Sequence, residues 1–203
     1  MNDEYVFKKS DGDIFFVGDF NGLYNNVDDP WLQSEGRELQ LTNFVADIIH
    51  DRKLKSYCEI GSGLGYNVNH IKSRFGIQVC GLDISSVAID RAKENFNLDF
   101  RVVNILNPID VKDRFDCVCL FNCLWYVLDD FSTVISNCSS LLSSDGVFVV
   151  AQKYIRDQKY GIDVIDGMDG CIKYIENNSD MKIIQVHRFE YEGNYHDGVL
   201  VCQ

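Results

Sequence analysis

From residue 55 onward, short and almost continuously apolar runs alternate with segments whose apolar residues recur every three to four positions. The first kind reads as strands buried on both faces, the second as amphipathic helices. Residues 55–60 predict a strand and 66–75 a helix closed by Gly76. A second strand follows at 77–83, then a helix starting at Ser85 or Ser86, both good N-caps, and running to about Phe96. Further strands are expected at 100–105, 115–122 and 147–153, with a helix over 129–142 that stops at Ser144-Asp145-Gly146. This alternation implies an α/β fold, a parallel sheet with helices on both faces. A ligand of such a sheet lies beyond the carboxyl ends of its strands, at the topological switch point.

After the fifth strand the pattern changes. Residues 161–177 have helical periodicity despite Gly167 and Gly170. Residues 181–190 and 199–202 read as two strands joined through 191–198, short enough for an antiparallel hairpin. The first 50 residues form a separate piece, in which a turn-rich stretch at 21–29 runs into Pro30-Trp31. An amphipathic helix follows, with Leu39, Phe44, Val45, Ile48 and Ile49 on its apolar face. No repeat, linker or low-complexity tract divides the chain, so its 203 residues are expected to form one domain.

Composition narrows the function classes. The longest apolar runs fall far short of the roughly 20 residues a membrane span needs. The acidic start, Met1-Asn2-Asp3-Glu4, leads into no apolar run, so no secretory signal is expected. The net charge is −12, and the short basic groups Lys8-Lys9 and Arg52-Lys53-x-Lys55 form no phosphate-binding footprint, which disfavours nucleic acid as a partner. Among the eight cysteines there is no Cys-x-x-Cys pair and no histidine at ligand spacing, so no metal is expected. Cys58, Cys80, Cys117 and Cys119 sit inside apolar runs as small hydrophobes, and reduced thiols imply a cytoplasmic protein.

The strongest candidate chemistry lies at 59–65, where Gly61, Ser62, Gly63 and Gly65 separate a predicted strand from a predicted helix. Glycines there permit a tight turn and a close approach of backbone to ligand, beside the free N–H groups of a helix start. Asp83, at the end of the next strand, is placed to accept the ribose hydroxyls of an adenosine-bearing ligand. A dinucleotide loop, G-x-G-x-x-G, would need glycine at Tyr66. The spacing here is G-x-G-x-G, preceded by Glu59. A carboxylate there would repel a pyrophosphate but suits the sulfonium and amino group of S-adenosylmethionine (SAM).

The set of motifs resembles the class I SAM-dependent methyltransferase family. E-x-G-x-G-x-G at 59–65 is similar to its first motif, and Gly81-Leu82-Asp83-Ile84-Ser85 to its second. Phe115-Asp116 through Asn122 resembles its fourth-strand motif, and Leu141-Leu142 through Val150 its fifth-strand segment, with Asp145 in place of a usual glycine. The resemblance implies a Rossmann-like, seven-stranded, mostly parallel sheet whose last strand is antiparallel, with residues 55–203 as the SAM-binding core. Residues 1–50 would then be a lid on the substrate side. It further implies that Glu59 neighbours the methionine moiety and that Gly61, Gly63 and Gly65 lie under the cofactor. Asp83 would bind the ribose, Ile84 would pack on adenine, and Asn104 and Ile105 would face the adenine edge. Asn122 would lie near the methionine part or the acceptor.

The segment from Leu23-Tyr24 to Asp28-Asp29-Pro30-Trp31 resembles the D-P-W region of nodulation-type N-methyltransferases, which act on an amino sugar. Phe121-Asn122-Cys-Leu124-Trp125-Tyr126 is similar to their S-E-V-L-Y-Y segment, with Asn122 where that pattern carries Glu. Methyl transfer to a neutral amine needs mainly alignment, whereas a hydroxyl acceptor calls for a base in reach. The candidates for contact with a small-molecule or carbohydrate acceptor are Asn122, Tyr126 and His196, the last in the 191–198 connection on the cofactor side. Two other functions stay open: a SAM-binding module without catalysis, and an NAD(P)-dependent oxidoreductase, which Tyr66 disfavours.

Overall fold

A computed structural model describes residues 4–191 and 193–203. The acidic start at 1–3 and Glu192 in the last connection lie outside the described residues.

The chain opens with an antiparallel hairpin of β1 (Phe7–Ser10) and β2 (Asp13–Phe16). Its two-residue turn puts Asp11 at φ +53° and Gly12 at φ +93°, the left-handed pair that matches hairpin twist. The stretch expected to be turns is instead a short helix, α1 (Phe20–Asn26). Asp19 nucleates it, its Oδ1 accepting the Gly22 N–H at 2.8 Å. The amphipathic helix follows as α2 (Leu39–Asp51), burying Leu41, Val45, Ile48 and Ile49.

The core follows as β3 (Ser56–Ile60), α3 (Tyr66–Phe75), β4 (Gln78–Asp83), α4 (Ser86–Asn95), β5 (Asp99–Val102) and β6 (Phe115–Phe121). After two single-turn 3-10 segments come α5 (Phe131–Ser140), β7 (Leu142–Ile155), α6 (Gly167–Asn178), β8 (Ile183–Glu190) and β9 (Tyr195–Cys202). Ser85 caps α4, accepting the Ala88 N–H at 3.1 Å. The strands form a seven-stranded sheet in the order β5-β4-β3-β6-β7-β9-β8. Pairings are parallel from β5 to β7, while β9 runs antiparallel between β7 and β8. This is the expected Rossmann-like, mostly parallel sheet with one antiparallel strand. All five residues of β3 are buried, as a strand covered on both faces requires. One face packs against α2, α3 and α4, the other against α5 and α6.

Four boundaries differ from expectation. Strand β7 begins at Leu142, and residues 143–146 are taken up in a bulge where the register steps from Phe115↔Leu142 to Cys117↔Val147. Strand β5 ends at Val102, so Asn104 and Ile105 lie in a loop. Helix α6 starts only at Gly167, because residues 161–165 close a separate turn on the Gly161 carbonyl. Strand β9 starts at Tyr195, since its pairing with β7 extends to Ile155↔Tyr195 and shortens the connection to four residues, 191–194.

Sheet direction reverses its growth between β3 and β6, whose carboxyl ends therefore leave a crevice. Among the described residues no helix is long and apolar enough to cross a membrane.

Candidate active site

A cleft of about 700 Å³ lies over the carboxyl ends of β3, β4, β6 and β7. Gly61, Gly63, Asp83, Ile84, Asn104, Ile105, Asn122 and Tyr126 all line it. Eight of the twelve residues expected at the site thus share one cleft, while Glu59, Ser62, Gly65 and His196 are placed elsewhere.

The glycine loop is fixed to β4 by backbone bonds. The N–H groups of Gly61 and Ser62 both donate to the Leu82 carbonyl, at 2.7 and 3.1 Å. Asp83 ties the same loop to the start of α4. Its Oδ2 accepts the Gly63 N–H and its Oδ1 the Ser85 N–H, each at 2.8 Å. Burial pushes the Asp83 carboxyl above its ordinary range, and these backbone donors oppose that shift. Each Asp83 oxygen keeps a further lone pair, the acceptor capacity that a vicinal diol would need. Ile84, 45% exposed beside it, offers an apolar platform. Asn104 turns its Oδ1 onto the Leu106 N–H at 3.0 Å, which orders the 103–106 loop along the same rim.

The three loop glycines have different duties. A Cβ on Gly63 would meet Gln33 Oε1 at 2.6 Å and Tyr24 Oη at 2.7 Å, so the amino-terminal segment closes directly over this residue. A Cβ on Gly61 would lie 1.9 Å from Cys123 Sγ, which occupies the space between the ends of β3 and β6. Gly65 faces the interior, where a Cβ would strike the Phe100 ring at 2.5 Å. It allows helix α3 to pack on the sheet and lies behind the loop.

Glu59 is fully buried beneath the loop. Its carboxylate accepts from the Tyr57 hydroxyl at 2.5 Å and from Asn67 Nδ2 at 3.5 Å. Burial raises it to about 8, against the lowering effect of these two donors. Its route to the cleft runs through Asn67, which does line the wall. Ser62 is likewise buried, with its hydroxyl oxygen unpartnered among the described residues.

The other half of the cleft is aromatic and charged. Asn122 sits at φ +49°, a left-handed kink that ends β6. It is held at both ends, its N–H donating to the Ala151 carbonyl at 2.8 Å and its Oδ1 accepting the Lys153 N–H at 2.7 Å. Tyr126 lies within 6.1 Å, centroid to centroid, of the rings of Phe7, Phe16, Phe20 and Trp31. Hairpin, α1 and the Pro30-Trp31 turn thus meet the β6 end through one aromatic cluster.

His196 requires a correction. It lies in β9 and not in a loop, paired with Tyr154 and stacked on that ring at 5.4 Å. Side chains alternate along a strand, so His196 faces α6 while its neighbour Asp197 faces the cleft.

Several cleft residues escaped sequence reasoning. Gln33 clamps the glycine loop, its Oε1 accepting the Leu64 N–H at 2.8 Å, and its own turn is held by Asp29. Lys153 pairs with Glu38 at 3.2 Å, joining the start of α2 to the end of β7. Asp197 Oδ2 accepts the Tyr191 hydroxyl at 2.8 Å. The hairpin itself carried a readable signal, an Asp11-Gly12 turn between apolar residues.

Comparison with known proteins agrees with this geometry. Residues 58–150 match the family model described as a methyltransferase domain. No curated protein sequence matches the chain. Among solved structures, a protein from Pyrococcus horikoshii OT3 is similar at TM-score 0.69 and 15% identity, covering 91% of this chain and 100% of that one. Magnesium protoporphyrin IX methyltransferase from Synechocystis PCC 6803, crystallised with S-adenosylhomocysteine, is similar at TM-score 0.60 and 16% identity, covering 80% and 81%. A sugar N-methyltransferase from a Streptoalloteichus species is similar at TM-score 0.52 and 20% identity, covering 61% and 52%. The sheet order and the cleft at its switch point define an α/β protein of the doubly wound kind. Residues 58–150 are matched as a methyltransferase domain, and the fold around them is that of the SAM-dependent methyltransferases.

Proposed function

We propose that this methyltransferase acts on a small polar acceptor, of carbohydrate or amine type, held in the aromatic half of the cleft. The observation that carries this reading is continuity. One cleft joins Asp83, Gly61 and Gly63 to Tyr126, Lys153 and Asp197, with Trp31 packed between the glycine loop and Tyr126. A nucleoside bound on the Asp83 side leaves the other side for another molecule. Aromatic faces with polar tips suit sugar rings and cationic amines. The likeness of 23–31 to nodulation-type N-methyltransferases, and the sugar N-methyltransferase among the similar structures, support the same acceptor class.

The residues present fit SAM. Asp83 has lone pairs to spare for the ribose, Ile84 with Asn104 and Ile105 forms an apolar-and-amide seat for adenine, and Gly61 and Gly63 bring backbone to the cleft wall between Cys123, Gln33 and Tyr24. Glu59 takes part from beneath by fixing Asn67. Bound SAM supplies a methyl group already activated on a sulfonium. The protein then has to align the acceptor and keep water out. Asn122, immobilised by Lys153 and Ala151, offers its amide at the junction of the two halves, and Tyr126 forms the acceptor wall. The amino-terminal segment, expected over 1–50 to be the lid, would be seated by Gln33 on the glycine loop and by Asn21, whose Oδ1 accepts the Ser85 hydroxyl at 2.8 Å. All eight cysteines are free and seven are buried, which supports a reducing compartment such as the cytoplasm.

Calorimetric titration with SAM, S-adenosylhomocysteine and NAD, followed by transfer of labelled methyl to amines, sugars and phenols, tests this reading. SAM binding with transfer to a sugar or amine is expected. Transfer to none of them, with SAM bound, would contradict the acceptor class.

A further inference from the structure

Asp197 is a cleft residue whose bonding is incomplete among the described residues. It is only 5% exposed, in the wall formed by the start of β9. Its Oδ2 accepts the Tyr191 hydroxyl, but its Oδ1 is buried and has no partner among the described residues. The nearby cation does not complete it, because Lys153 is engaged by both oxygens of Glu38 at 3.2 Å. A buried carboxylate oxygen without a donor costs the protein its full desolvation. Such a group calls for an explanation, and its place in the cleft wall offers one: a donor carried by a bound ligand.

Its position shows what that ligand must be. Asn122 ends β6, its Oδ1 holds the Lys153 N–H of β7, and Lys153 stands opposite Asp197 of β9. Two strand spacings separate Asn122 from Asp197, a backbone distance of about 10 Å. A ligand that meets both Asn122 and Asp197 therefore reaches across about two strand spacings of the cleft. We infer that Asp197 is a specificity-determining residue, whose Oδ1 accepts a hydrogen bond from a hydroxyl or ammonium at the far end of the methyl acceptor. The inference rests on the proposed small-acceptor reading and deepens it. The acceptor spans the cleft, carries its nucleophile at one end and a second donor at the other.

The test compares twins that differ in that second donor. For a hydroxyl, the probes are D-glucosamine against its 4-deoxy and 6-deoxy analogues, and tyramine against phenethylamine. For an ammonium, they are cadaverine against pentylamine. Transfer of labelled methyl gives kcat/KM, and calorimetry gives the SAM Kd, for the wild type, Asp197→Ala and Asp197→Asn. In one arm the wild type should favour the donor-bearing twin by about tenfold or more, as one bond to a charged acceptor allows. Asp197→Ala should cut that preference to below about threefold while the SAM Kd stays within about threefold. Asp197→Asn keeps a neutral acceptor, so it should restore part of a hydroxyl preference and none of an ammonium preference. Tyr191→Phe, which loosens Oδ2, should weaken the same preference and serves if Asp197→Ala fails to fold. An undiminished preference in these variants overturns the inference, as does a SAM Kd that rises in step with it. Transfer to no probe, with SAM still bound by the wild type, overturns both the inference and the acceptor class. Failure of the wild type to bind SAM would instead indict the cofactor site.

Discussion

Substituting Gly65 by alanine separates scaffolding from cofactor contact within the glycine loop. Gly65 sits at φ +83°, where a side chain brings about 1–2 kcal/mol of backbone strain. The new Cβ would also lie 2.5 and 2.8 Å from two Phe100 ring atoms and 3.2 Å from Ala92 Cβ. Phe100 cannot retreat easily, because Gly81 touches the same ring from β4, at 2.5 Å from its own would-be Cβ. Overpacking of this kind costs about 1–3 kcal/mol, so the total loss is roughly 2–5 kcal/mol. Urea unfolding of wild type and variant reads it directly. Phe100→Leu removes the obstructing ring, so it should cost less in the Gly65→Ala background than alone, with a coupling of about 1–3 kcal/mol. A Gly65→Ala loss below about 1 kcal/mol, or strictly additive effects, would refute this packing role.

Removing the carboxylate in Asp83→Ala leaves the Gly63 and Ser85 N–H groups unpaired and deletes the proposed ribose acceptor. SAM affinity should fall by about tenfold or more, by calorimetry, and unchanged affinity would end the assignment. Glu59 has its pKa raised by burial to about 8, above its unfolded value, so the native state holds a proton that the unfolded chain has released. The Glu59 contribution to the stability of the ligand-free protein should therefore be full below about pH 4 and be lost as pH rises to about 8, by at most about 1.4 kcal/mol per pH unit. Glu59→Gln should flatten that decline in urea titrations at several pH values. Tyr126→Ala opens the aromatic wall and should lower kcat/KM for the acceptor about tenfold or more, with a SAM Kd that moves little.

The sheet was legible because its signals are local. Apolar runs at 56–60 and 115–121, glycines at 65 and 76, and Ser85 as a cap each fix an element within its own few residues. The shared place of Gly61, Gly63 and Asp83 in one cleft was legible for the same reason, since all three fall at strand ends whose order the pattern gives. What escaped depends on long-range pairing. His196 and Asp197 exchange faces with any one-residue change in where β9 begins, and only its ladder with β7 settles that. Glu59 reads as a loop charge, yet Tyr57 and Asn67 close it in from two elements. The amino-terminal segment was legible as a separate piece, whereas its contact with the core depends on Gln33 meeting a loop 31 residues further along.

The most direct measurement is a crystal structure of the protein with S-adenosylhomocysteine. The account predicts the ribose hydroxyls on the Asp83 carboxylate, adenine against Ile84 and Asn104, and the sulfur at the Asn122 junction, facing the chamber of Tyr126 and Asp197. A ligand bound away from Asp83, or with its sulfur turned from that chamber, would contradict it.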